Sequence, residues 1–133
     1  MARYAIDAPT LLHLVTADAP LSAAHQLVAP NLIRSDAMAL LLAAVRRGEL
    51  SEAEAMARHE RLTSVRMRVL HDRVSRRVAW QLAQEHGWDR FHDAEYLAVA
   101  KLQADAFVTI DADTAARAAA IVPVEPVDVL FAD

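Results

Sequence analysis

Short apolar runs alternate along this 133-residue chain with longer stretches whose apolar positions recur at helical spacing. Tyr4-Ala5-Ile6 is the first run, a strand closed by Asp7. Pro9 suits the first turn of the helix that follows through Leu11, Leu12, Leu14 and Val15, and Asp18-Ala19-Pro20 ends it. Ser22 to Gln26 predicts one further short helix. Leu27-Val28-Ala29 is the second strand, stopped by Pro30-Asn31. A helix from about Leu32 to Arg47 is closed by Gly48, the residue expected just past a helix end. Ser51-Glu52-Ala53-Glu54 has capping-box form and opens a helix to about Leu62. Apolar residues and arginine alternate from Val65 to Leu70, the period of a strand. Asp72 is placed to cap a helix through Val74, Val78, Leu82 and Ala83 to Gly87. Asp89 to His92 reads as a polar connection, followed by a helix from Asp93 to Leu102. A strand from Phe107 ends on Asp111, Asp113 to Ala120 is a short helix, and Ile121 to Val124 is a last strand. The tail from Pro126 is loosely defined.

Alternation of this kind predicts an α/β protein with a three-layer α/β/α arrangement and a mostly parallel central sheet. Residues 1–133 show no linker, repeat or low-complexity segment, so a single domain is expected. In such sheets ligands bind beyond the carboxyl ends of the strands. Asp7 and Asp111 both fall there.

Composition narrows the classes. Apolar residues make up 55%, above the usual share, which predicts extensive burial or an apolar surface for a partner. No apolar run approaches the roughly 20 residues that span a bilayer, and the first residues lack the long apolar segment of a signal peptide. The absence of cysteine excludes a disulfide framework and a thiolate metal site. A cytoplasmic protein with no membrane attachment is therefore expected. The formal charge of −4 argues against a protein that coats nucleic acid by charge alone. Positive charge is nearly all arginine, with Lys101 the sole lysine. Arg58, Arg61, Arg66, Arg68, Arg73, Arg76 and Arg77 make a basic middle: either solvated faces pairing with glutamates, or a phosphate-binding surface.

The candidate chemistry lies in carboxylates. Asp36 sits among Leu32, Ile33, Ala37, Ala39, Leu40 and Ala43 on a helix face, where a lone buried charge is costly. It pairs with a cation, reaches a cleft or binds metal; the ordinary reading is a first-turn acid favoured by the helix dipole. Asp93, with Tyr96, Leu97 and Ala100 on its face, has helix capping as its ordinary reading. Asp7 has that of a turn acid. Of Asp111 and Asp113, one is free to cap the short helix while the other ligates metal. Acids converging in one pocket repel each other and usually hold a hard cation. The six histidines show no paired-ligand spacing, and two glycines exclude a Gly-rich phosphate loop.

Asp7 at its strand end, the acid on the helix after the second strand, His92-Asp93-Ala94-Glu95-Tyr96-Leu97-Ala98-Val99-Ala100 and Val108-Thr109-Ile110-Asp111 together resemble a PIN domain. Length and order are similar to the small VapC-type toxins of prokaryotic toxin–antitoxin pairs, over essentially the whole chain. The resemblance implies a PIN-like α/β/α fold and a ribonuclease dependent on magnesium or manganese. It also implies a homodimer that cuts RNA and is silenced by a cognate VapB-like antitoxin filling a groove and the active site. Carried over, Asp7, Asp93 and Asp111 match the family's first, third and fourth acids, and Asp113 an auxiliary one. Asp36 stands where the family usually has glutamate, one methylene longer, so a metal there sits differently or binds through water. Thr10 stands near where a serine often follows the first acid.

Three other readings compete. Thr109-Ile110-Asp111-Ala112-Asp113-Thr114 copies the D-x-D-x-T of haloacid-dehalogenase-like phosphatases, but too late in the chain and with no downstream lysine. A response-regulator receiver expects early paired acids and a late lysine. A PIN-like module that has lost catalysis and binds RNA or a partner is the stronger alternative, supported by the aspartate at position 36.

Overall fold

In the computed structural model, which describes residues 1–17 and 19–132, the apolar runs form a sheet and the helical stretches cover it. Strand β1 is Arg3–Ile6, and helix α1, Ala8–Thr16, starts at once because Asp7 caps it and Pro9 suits its first turn. Strand β2 (Gln26–Pro30) leads into α2 (Ile33–Arg46), and α3 (Glu52–Ser64) opens on the capping box of Ser51 and Glu54. Strand β3 (Arg68–Leu70) precedes α4 (Arg73–His86), which ends on Gly87 at φ +66°, a left-handed position that glycine takes without steric cost. Helix α5 is Phe91–Gln103, β4 is Ala106–Val108, α6 is Ala112–Ala119 and β5 is Val124–Glu125.

The five strands are all parallel, in the order β3-β2-β1-β4-β5. Helix α5 lies against β1, β2 and β4 and is covered by α4, while α1, α2 and α3 pack on one another. The result is the expected three-layer α/β/α fold. The residues from Tyr96 to Ala100 are all buried, as a helix wedged between sheet and helix requires. Chain order turns back at β1: β2 and β3 lie to one side, β4 and β5 to the other. The carboxyl ends of β1 and β4 therefore flank a topological switch point, where doubly wound sheets open a crevice.

Several elements differ from the sequence expectation. Ser22 to Gln26 is not a helix: the Ser22 hydroxyl accepts the Ala24 amide at 3.2 Å, and the Ser22 amide bonds to the Leu130 carbonyl at 2.9 Å. Serine offering its backbone a local alternative, in a segment too short to nucleate a helix, accounts for this. The tail is ordered: Val127–Leu130 is a 3-10 turn with Leu130 buried, and Leu21 bridges Phe131 antiparallel. Strand β3 is only the end of the alternating stretch, because α3 runs on to Ser64. Strand β5 begins at Val124, since the amides of Ile121 and Val122 still bond to the Ala118 carbonyl. Helix α4 buries Ser75, Ala79 and Leu82 and packs Val78 and Ala83 against the core; of the expected apolar positions only Val74 departs, at 61% exposed. Helix α1 ends at Thr16, just before the expected break at Asp18-Ala19-Pro20, of which Asp18 lies outside the described residues.

Ser51→Ala removes the acceptor of the Glu54 amide, at 3.1 Å. It is expected to lower stability by about 1 kcal/mol, seen as a lower urea midpoint with unchanged slope. An unchanged midpoint would show that α3 does not depend on its cap.

Candidate functional site

The buried end of β1 organises the site. Asp7 is only 7% exposed, yet both its oxygens are engaged. Its Oδ1 accepts the Thr10 amide at 3.2 Å and the Thr10 hydroxyl; its Oδ2 accepts the Thr109 hydroxyl at 2.7 Å. Each threonine oxygen in turn accepts a backbone amide of the loop after β4. Thr10 Oγ1 takes that of Ile110 and Thr109 Oγ1 that of Asp111, both at 3.1 Å. Burial raises the Asp7 pKa above the ordinary carboxylate value, and the bonds from Thr10 and Thr109 oppose that rise.

Asp111 follows β4 by three residues and caps α6. Its Oδ2 accepts the Thr114 amide at 3.0 Å and the Thr114 hydroxyl, and the hydroxyl above all lowers its pKa. The strand thus stops at Val108, and the Thr109-Ile110-Asp111 motif is a turn and a cap rather than a strand end. Asp36 lies in the first turn of α2, at the margin of the buried stripe formed by Ile33, Ala37 and Leu41. Ala39 and Leu40 of the expected apolar stripe are exposed. Asp36 Oδ2 accepts the Tyr96 hydroxyl at 2.7 Å, and His92 Nδ1 stands 3.9 Å from Oδ1. Burial, then the bond to Asp36, holds the Tyr96 phenol far above its ordinary pKa, so it stays a donor. Asp93 is in the first turn of α5 and does not cap it, because the helix begins two residues earlier, at Phe91. Arg90 Nε lies 3.8 Å from its Oδ2.

Asp7, Asp36, Asp93 and Asp111 line one cleft of about 430 Å³, together with Leu40, Arg90, Tyr96 and Arg117 among others. Four separate segments of chain supply the acids, and two arginines leave the cleft net acidic. Asp113 sits one turn position further into α6, exposed, and is not among the lining residues. Among the described residues no three carboxylate or imidazole groups draw together into a metal-binding cluster. The acids share a cleft without closing a cage. Their chemistry is all oxygen, which suits a hard cation that keeps several waters and is held by one or two carboxylates plus substrate phosphate.

Thr109, Tyr96, Arg90 and Arg117 were not singled out as site residues by sequence. Thr109 was readable in the T-x-D run and Tyr96 by its place three residues after Asp93 on one helix face. The two arginines carried no signal, since arginine near a helix end is ordinary.

The fold and the cleft define a class: a doubly wound α/β/α protein with an acid-lined crevice at its switch point. No family model and no curated protein matches the chain. The crystal structure of PAE2754 from Pyrobaculum aerophilum is similar to it, with a TM-score of 0.70 over 96% of this chain and 92% of that one, at 23% sequence identity. At that identity the likeness establishes the fold. Among the described residues no helix is long and apolar enough to cross a membrane.

The raised Asp7 pKa sets a pH test. The folded carboxyl holds its proton more tightly than the unfolded one, so ionising it costs stability; the cost is absent below the ordinary carboxylate range and grows as pH rises through the folded pKa. Asp7→Asn is therefore expected to raise Tm at pH 7, with the gain vanishing by about pH 3. Thermal melts across that range check it. A Tm difference that does not change with pH would contradict a burial cost on the ionised form.

Proposed function

We propose that the protein is a divalent-metal-dependent endoribonuclease of the PIN-domain type, the toxin of a VapBC-like toxin–antitoxin pair. One observation carries the reading: the four acids singled out in sequence line a single cleft at the switch point. Asp93 and Asp36 are the half-exposed acids, with side chains 35% and 29% accessible, and are the groups available to hold magnesium or manganese. Asp7 is held rigid by two threonines and presents a buried negative charge beside them. A bound ion would supply Lewis acidity and a water acidified for attack on phosphorus. Tyr96 fixes the Asp36 carboxylate by its Oδ2, and Oδ1 stands 3.9 Å from His92 Nδ1. Arg90 and Arg117 line the same cleft and are placed to pair with phosphate oxygens of a bound RNA strand.

A partner surface supports the toxin part of the reading. An apolar groove of about 400 Å³ runs between α2 and α3 past Met38, Leu41, Leu42 and Met56, and Leu42 and Met56 are 50% and 45% exposed. Ala39 lines both this groove and the acid cleft, so a segment lying in the groove reaches the acids. A VapB-like antitoxin is the proposed occupant, and a homodimer the proposed assembly. A second reading, a PIN-like module that binds RNA or a partner without cutting, is favoured by the short Asp36 side chain tied to Tyr96 and by acids that form no closed cluster.

RNA cleavage with magnesium or manganese, abolished by chelator, is the expected outcome. Asp93→Asn is expected to reduce it by at least about a hundredfold, with an unchanged circular dichroism spectrum. Metal binding by calorimetry with no cleavage of any RNA offered would replace the nuclease by the binding module. Cleavage undiminished in both Asp7→Asn and Asp93→Asn would remove the site altogether.

A further inference from the structure

The acid cleft does not use the basic middle of the chain. Three of its arginines, Arg61 from the last turns of α3, Arg66 from the loop and Arg68 from the start of β3, line a separate cleft of about 680 Å³. Gln26 and Leu27, which begin β2, line it as well, so it opens at the amino edge of the parallel sheet. The acids lie at the opposite edge. A five-residue strand such as β2 separates the two edges by roughly 17 Å.

Four features set this cleft apart from a solvated arginine face. Among the described residues no carboxylate lines it. Among the described residues none of the three guanidiniums makes an ion pair, although other exposed arginines do. Its floor is apolar: Leu27 and Leu130 are buried, and Leu21, Val65 and Met67 are packed against the core. His25, also lining it, accepts the Ala2 amide on Nδ1 at 3.2 Å and is held edge-on to Tyr4 at a ring separation of 5.0 Å. The neutral imidazole therefore carries its proton on Nε2 and has a donor to offer. Unpaired cations of one sign in a concave surface concentrate positive potential. Above an apolar floor they suit a ligand with a flat, weakly polar part and an anionic part. The cleft is also within the size of small-molecule sites, about 300–1,000 Å³.

We infer that this cleft binds a nucleoside phosphate, with the base on Leu27, Met67 and Leu130 and the phosphates on Arg61, Arg66 and Arg68. Guanidinium is the cation that matches phosphate with paired donors. The binding is independent of the acid cleft and needs no divalent ion.

Calorimetric titration of the full chain with ADP, GDP and adenosine, in chelator, tests this. Saturable binding of ADP or GDP is expected, roughly tenfold or more tighter than adenosine, weakening as salt rises. Arg66→Ala and Arg68→Ala are each expected to weaken it by roughly tenfold, and Arg66→Lys by less, because lysine keeps charge but loses the fork. Both positions are exposed, so the fold should stand in these variants. Asp7→Asn should bind ADP as the wild type does, which separates this cleft from the proposed nuclease site. No saturable binding, or binding indifferent to both arginines, would overturn the assignment. So would tighter binding of a 5′-phosphorylated oligoribonucleotide than of ADP, which would make the cleft part of an RNA track.

Discussion

A carboxylate kept almost out of water at the end of the first strand is the constraint on which the rest of the site depends. Burying an ionised group is unfavourable unless hydrogen bonds replace the lost water. Asp7 obtains them from Thr10, one turn along its own helix, and from Thr109, which lies 102 residues further along the chain. Each hydroxyl is a donor to Asp7 and an acceptor for an amide of the β4–α6 loop. The start of α1 and the loop after β4 are thereby tied through one buried charge. This loop delivers Asp111, so the relation between the first and last acids follows from the bonding of Asp7.

Topology brings the other two acids to the same place. Because β1 and β4 are neighbours and their helices leave in opposite directions, the crevice between their carboxyl ends is open. Helix α5 crosses β1, β2 and β4, which carries its first two turns, with Asp93 and Tyr96, to that crevice. Helix α2 brings Asp36 within bonding distance of Tyr96. Arginine dominates the other edge, where Arg61, Arg66 and Arg68 converge. The two clefts therefore differ in charge: four acids line the one at the carboxyl edge, and three guanidiniums without an ion pair among the described residues line the one at the amino edge. A net charge of −4 for the whole chain conceals this division.

Local chemistry was legible in sequence where a single residue settles a backbone conformation. Asp72 and Ser51 cap as their patterns indicate, Gly48 and Gly87 end helices at positive φ, and the apolar runs at Tyr4 and Leu27 are strands. The parallel α/β/α arrangement followed from alternation alone. Legibility failed where partners are remote. Ser22 and Leu130 decide each other's conformation across the chain, and neither carries a local sign of it. The start of α5 carries no local sign, because Arg90 caps it without a side-chain hydrogen bond and the first acid, Asp93, lies inside the helix. The acids and Thr10 are visible in sequence, whereas the positioning roles of Thr109 and Tyr96 are not, since a hydroxyl reveals its role only beside its partner.

Asp36 shows how an acid at the margin of a buried stripe is accommodated. A glutamate in its place would extend one methylene further from α2, with more rotamers to restrain. The aspartate is instead held by the Tyr96 hydroxyl, a donor that burial prevents from ionising. One oxygen is thereby committed to the protein and the other is left near His92. Glu95, the residue before Tyr96 on the same helix, has its pKa raised by burial first and in part by the Asp36 charge, while His92 opposes the rise. The first two turns of α5 therefore place a phenol, an imidazole and a carboxyl around Asp36. That surrounding set governs how much negative charge the Asp36 carboxylate presents.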